Sequence, residues 1–268
     1  MSTVTVTARK QLEEQVDHYV SSVVVRYGQD SLARWNVPVC PLVAGLPRER
    51  GEYILWRITQ VATASGAPLA PQQCKVNFYV VVTPQPDVLL KNWLRRDPKM
   101  YDRASGMSRI NSFMHATHPI RCWYNTEFRS SDGGSVSREG VVAALNGSAL
   151  EMMELPTNTV RLGTRLRYSA IQGLSSIIIV VDENQTGSLT IGQLADYVAM
   201  IGLAQIRTDA DLGQIPTILR LFQDPQDPPQ AMSTWDEAFL HSLYGTSQAS
   251  VTQRSLIKTR MLDRIAPP

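Results

Sequence analysis

The 268-residue chain is 43% hydrophobic and 19% charged, a balance that suits a core-forming globular protein and argues against disorder. Its length fits one large domain. A net charge of +2 with scattered basic residues leaves no electrostatic footprint for nucleic acid, and no run of about eighteen apolar residues is present for membrane insertion.

The opening "MSTVTVTARK" has no signal-peptide pattern. Its β-prone "TVTVTA" ahead of a helix resembles the mature start of a bacterial exported protein after leader cleavage, which gives a periplasmic or secreted expectation. Apolar residues at Leu12, Val16, Tyr19, Val20 and Val23 then keep helical spacing,. "VPVCPLVAG" reads as a short strand. Pro47 and Gly66 punctuate a helix of four or five turns between them. "CKVNFYVVVT" is a buried strand by its continuous β-branched and aromatic content, and a helix over about 87 to 96 stops before Pro98. Residues 101 to 112 read as loop.

"IRCWYNTEFRS" is a third strand and "SSDGGS" a turn. "REGVVAALNGSALEMMEL" predicts one helix broken at Asn146-Gly147. "VRLGTRLRYSAI" and "SSIIIVVD" predict two antiparallel strands joined around Gln172-Gly173. Helices follow over about 190 to 204, 215 to 222, 232 to 244 and 248 to 264, with the Pro-rich "QDPQDPP" as a surface connector. The order implies an α+β fold: a mixed, mostly parallel sheet with an antiparallel edge strand, backing helices and a helical C-terminal half. We expect an N-terminal helical segment over 1–30 and a single domain over 31–268, of which 190–268 is the helical part.

Three stretches carry a resemblance. Set on Gly202, "ADYVAMIGLAQ" places Ala195, Asp196, Ala199 and Gln205 where metzincin zinc peptidases have HExxHxxGxxH, in which histidines hold the metal and a glutamate acts as base. "TIL" (217–219) stands where those domains have a Ser-Ile-Met turn beneath the metal, and "MSTWDEAFLHSLYG" (232–245) looks like their closing helix. The chain resembles a degenerate metzincin-like domain, and also a group of uncharacterised bacterial exported proteins with this pattern. The resemblance implies a metzincin-like layout without zinc ligands, since two alanines coordinate nothing, and hence a non-catalytic protein- or peptide-binding module with no cofactor. It further implies that an extended partner lies along an exposed sheet edge. The matching edge would be 161–171, where Arg161, Arg165 and Arg167 share one parity and favour an acidic partner. Charged guards against unwanted pairing explain the same arginines.

Two other constellations compete. "DENQTGSLTIGQ" (182–193) fits a calcium loop at Asp182, Asn184, Thr186 and Gly187, but Gln193 replaces the bidentate glutamate and a strand precedes it. A turn followed by a Thr190–Gln193 helix cap explains the same residues. His115 and His118 with Glu127 are the remaining ligand candidates for a metal-dependent hydrolase, and surface histidines are the plainer account. Cys40 and Cys74 each open a strand of a strand-helix-strand unit. Parallel strands put those starts at one sheet end, so in an exported protein the two should bridge and leave Cys122 as a free thiol.

Overall fold

The computed structural model describes residues 3–25, 32–101, 107–131, 136–142, 152–158, 167–168 and 170–266, with backbone alone for 136–142 and 152–158. In chain order the elements are α1 (Thr3–Val23), β1 (Arg34–Trp35), β2 (Pro41–Ala44), α2 (Arg48–Ser65), β3 (Phe78–Thr83), α3 (Pro86–Arg96), α4 (Met107–Met114) and β4 (Ile120–Ser130). They continue with β5 (Val136–Val142), β6 (Met152–Asn158), β7 (Ala170–Asp182), α5 (Glu183–Thr186), α6 (Ile191–Leu203), α7 (Thr234–Gly245) and α8 (Gln253–Ile265).

Strands β2, β3 and β7 lie side by side and parallel, while β4 runs antiparallel along β7. Because β4 covers one side of β7 from Ala170 to Val181, β1 and β3 share the other side, at Gly173–Leu174 and at Ile177–Asp182 respectively. The sheet is therefore mixed and mostly parallel, with an antiparallel strand at its edge. Alternation sorts the apolar run of β7 into two cores. Ile177, Ile179 and Val181 join the main core beneath the helices, with Val16, Tyr19 and Val20 of α1 and Val198 and Ile201 of α6. Ile178 and Val180 face a smaller core with Leu90, Tyr101, Ile110, Phe113 and Trp123. A strand buried on both faces has to be apolar throughout, which is why "IIIVV" does not alternate.

Local signals set several boundaries as the sequence implies. Pro47 caps the start of α2, and Gly66 ends it at φ 83° with its N–H returned to Ala62 and Thr63,. The strand-helix-strand unit lays β2 parallel to β3, which brings the Cα atoms of Cys40 and Cys74 to 5.9 Å in a disulfide and leaves Cys122 free.

Four expectations are corrected. The turn expected around Gln172-Gly173 is absent: β7 runs as one strand from Ala170 to Asp182, and 161–166 lie outside the described residues. A Cβ on Gly173 would lie 2.9 Å from Asn36 Nδ2, so the glycine gives room for the chain after β1. The broken helix expected over 138–155 is instead the antiparallel pair β5–β6, with Gly140 opposite Glu154 and Val142 opposite Met152. Asn146-Gly147, taken as a helix break, lies outside the described residues. The region expected as loop contains α4, whose Ile110, Phe113 and Met114 are buried. A helix of eight residues is too short for its period to stand out. Finally, "TVTVTA" is helical as part of α1, because weak β preference yields to a helix docked through Val16, Tyr19, Val20 and Val23,.

Candidate functional site

Helix α6 starts from a reciprocal cap: Thr190 Oγ accepts from the Gln193 N–H at 3.2 Å and Gln193 Oε1 accepts from the Thr190 N–H at 3.0 Å,. From Gln193 to Leu203 every residue is buried. Its orientation follows from Gly202, where an added Cβ would lie 1.9 Å from the Phe78 ring of β3. The Trp35 indole N–H also donates to the Gly202 carbonyl at 2.8 Å. Ala195 and Ala199 are seven and three residues before Gly202 and share its face. Both are fully buried, so the two positions matching helix histidines press towards the sheet.

Asp196, at the position matching the base, is spent elsewhere. One carboxylate oxygen pairs with Arg57 of α2 and the other accepts the Met232 N–H at 2.7 Å. Gln205 is buried just beyond α6, and its N–H reaches the Ala33 carbonyl at 3.4 Å. A lone carboxylate in the apolar run from Leu194 to Leu203 is the sequence signal that some cation meets it. Which cation does so is decided 139 positions away.

Two of the stretches that carry the resemblance, 217–219 and 232–245, meet each other. Thr217 caps a 3-10 turn at Ile218–Arg220, and Ser233 with Asp236 forms the capping box of α7. The Asp236 carboxylate also accepts from the Thr217 hydroxyl and, at 2.9 Å, from the Ile218 N–H. The Tyr19 hydroxyl of α1 reaches the same group at 3.2 Å.

Between β4 and α6 the space is filled by aromatic rings. The His118 ring lies 5.1 Å from Phe222 and 6.3 Å from Tyr197, nearly parallel to the latter, and Tyr197 meets Phe222 at 5.1 Å. Tyr124 of β4 donates to the Ile201 carbonyl at 2.8 Å and accepts from the Ile206 N–H at 3.3 Å. Burial pushes the Cys122 thiol up to about 12 and raises the Tyr197 phenol further, so neither is a nucleophile at neutral pH. This packing was not legible beforehand.

The rival ligand sets are not gathered. His115 follows α4 in the open, and Glu127 is ion-paired with Arg129. His118 precedes Ile120 at one end of β4, and seven residues of strand put Glu127 about 23 Å further on. Among the described residues no three His, Cys, Asp or Glu side chains come close enough to hold a metal ion. In the 182–193 stretch Asp182 accepts from Asn184 N–H and Gln185 Nε2, and the Asn184 amide donates to the Pro84 carbonyl. These side chains cap a turn and converge on no common point. Of the edge arginines, Arg161 and Arg165 lie outside the described residues, and Arg167 forms an antiparallel bridge with Ser250. The strand before α6 is flanked on both sides, so the sheet edge on this side of the molecule is β4. The chain matches no protein-family model, no curated protein and no solved structure.

Proposed function

We propose that this chain is a non-catalytic binding module on a zinc-peptidase-like layout, which takes an extended peptide along the outer edge of β4. The observation that carries the reading is the face of α6. Small residues at 195, 199 and 202 close it onto β3, and the one acidic group is neutralised by Arg57. A helix kept this close to the sheet has given up the donors that metal chemistry needs. The link from Asp236 to the 217–220 turn supports the same layout, because it joins two of the three stretches on which the resemblance rests. Strand β4 pairs with β7 alone among the strands of its sheet, so an added strand has backbone groups to meet there. No helix of the described residues is long and apolar enough to cross a membrane, and the Cys40–Cys74 bridge supports export to an oxidising compartment.

The test has two arms. Protein purified without a metal-affinity step should carry no stoichiometric zinc and should leave unstructured peptide substrates intact. Peptides selected on the full chain from a random extended library should protect β4 amides from hydrogen exchange. Protection elsewhere, or zinc-dependent cleavage, overturns the reading.

A further inference from the structure

An open groove of about 700 Å³ lies on the helical layer, bounded by α2 on one side and by α7 and α8 on the other. It is separate from the β4 edge. Its exposed apolar surface is chiefly Trp56, half-exposed with its ring 5.4 Å from Tyr53, while Val61, Met232 and Leu240 beneath are buried. A groove of this size with an apolar body and a few polar groups is the usual form of a small-molecule site.

The groove's two arginines keep N–H donors that no carboxylate on its wall takes. Arg57 is held by Asp196 through Nε, which fixes the guanidinium while about a quarter of the side chain stays exposed. A guanidinium has five N–H donors in a fixed fork, and among the described residues no second acceptor takes those on the terminal nitrogens. Arg264 of α8 has an uncharged partner: its Nη2 lies 2.6 Å from His241 Nε2. Partial burial and the neighbouring Arg264 and Arg260 hold that imidazole below its usual pKa, so the histidine accepts and does not neutralise. Among the described residues no carboxylate pairs with Arg264. Asp196 offsets Arg57 and Glu237 is the one acid on the groove wall, so the groove offers N–H donors without acceptors rather than an excess of positive charge.

We propose that this groove binds a small amphipathic carboxylate, its apolar body against Trp56 and its anionic end between Arg57 and Arg264. The proposal goes beyond the peptide-binding reading and does not depend on it. A planar fork already oriented by a buried carboxylate suits bidentate capture of a second carboxylate, and the aromatic surface supplies area at little entropic cost.

The test is an NMR titration of the ¹⁵N-labelled full chain with 4-phenylbutyrate, indole-3-acetate and octanoate, each beside its primary amide. The acids should shift the Trp56 indole resonance and α8 amides, and the best acid should bind about tenfold more tightly than its amide. Arg264→Gln, an exposed change, should erase that preference while leaving amide binding unchanged. Trp56→Ala should weaken acid and amide alike. Equal binding of acid and amide, an Arg264→Gln variant that keeps the preference, shifts confined to β4, or no shift by any acid up to roughly 10 mM would each overturn the proposal. Failure of peptides to protect β4 would leave it standing, so the two readings fail separately.

Discussion

Asp236 is fully buried and accepts from the Tyr19 and Thr217 hydroxyls and from the Ile218 and Ser233 N–H groups. Burial lifts its carboxyl above the usual range, and these donors pull against that shift,. Asp236→Ala would strand these donors, of which those of Tyr19, Thr217 and Ile218 are buried, so we expect a loss of about 3–5 kcal/mol in urea unfolding. Tyr19→Phe removes one donor and should cost about 1 kcal/mol. An alanine variant as stable as the parent would show that the network is incidental. His118 gives a pH prediction. Burial between Tyr197 and Phe222 lowers its pKa, opposed by its hydrogen bond to the Ile120 carbonyl. The unfolded chain therefore takes up this proton at a higher pH than the folded one. The stability contributed by the neutral ring is complete above about pH 6.5 and is lost as pH falls below it towards the folded pKa. Melting temperature should fall with acidification in that window, and His118→Gln should shrink the slope. His241 is shifted the same way, so a residual slope should remain.

At the scale of the element, α6 is set by one contact. Gly202 sits under the Phe78 ring, and Phe78 itself stacks on Trp35 at 6.2 Å. Gly202→Ala should destabilise by about 1–3 kcal/mol, since the ring has no free direction in which to yield. Phe78→Leu should recover part of that loss in a double-mutant cycle, because the two positions share one space. Additive effects would mean that α6 does not depend on this contact. The beginning of this helix was legible in Thr190 and Gln193, since a cap is settled within four residues. Its facing was not, because glycine, alanine and valine on one stripe suit both a metal-bearing helix stripped of ligands and an ordinary packing face. The pair β5–β6 was missed for a related reason: its apolar and small residues suit a helix as well as two strands, and only the pairing of separated segments distinguishes them.

For the whole molecule, the Cys40–Cys74 bridge closes a loop of 34 residues in sequence separation. In the chain-entropy account that stabilises by about 3–4 kcal/mol. Thiol counting in denaturant without reductant should find one thiol per chain, that of Cys122. Cys74→Ser should lower the melting temperature, and an unchanged value would mean that the unfolded chain gains little from release. The bridge could be anticipated because a strand-helix-strand unit is right-handed and parallel by general sterics, which places two strand starts together whatever the rest of the chain does. Neighbours close in sequence likewise fixed the Pro47–Gly66 helix and the Ser233–Asp236 cap, whereas the sheet closes through β7, whose partners β1, β3 and β4 lie far back in the chain. What only the folded chain decided is which distant groups face each other. Arg57 meets Asp196, Trp35 meets Gly202, and Tyr19 meets Asp236 across 217 positions. Local residues make each of these side chains ready for a partner, but closure of the chain around one sheet selects it, and the candidate sites are made of such selections.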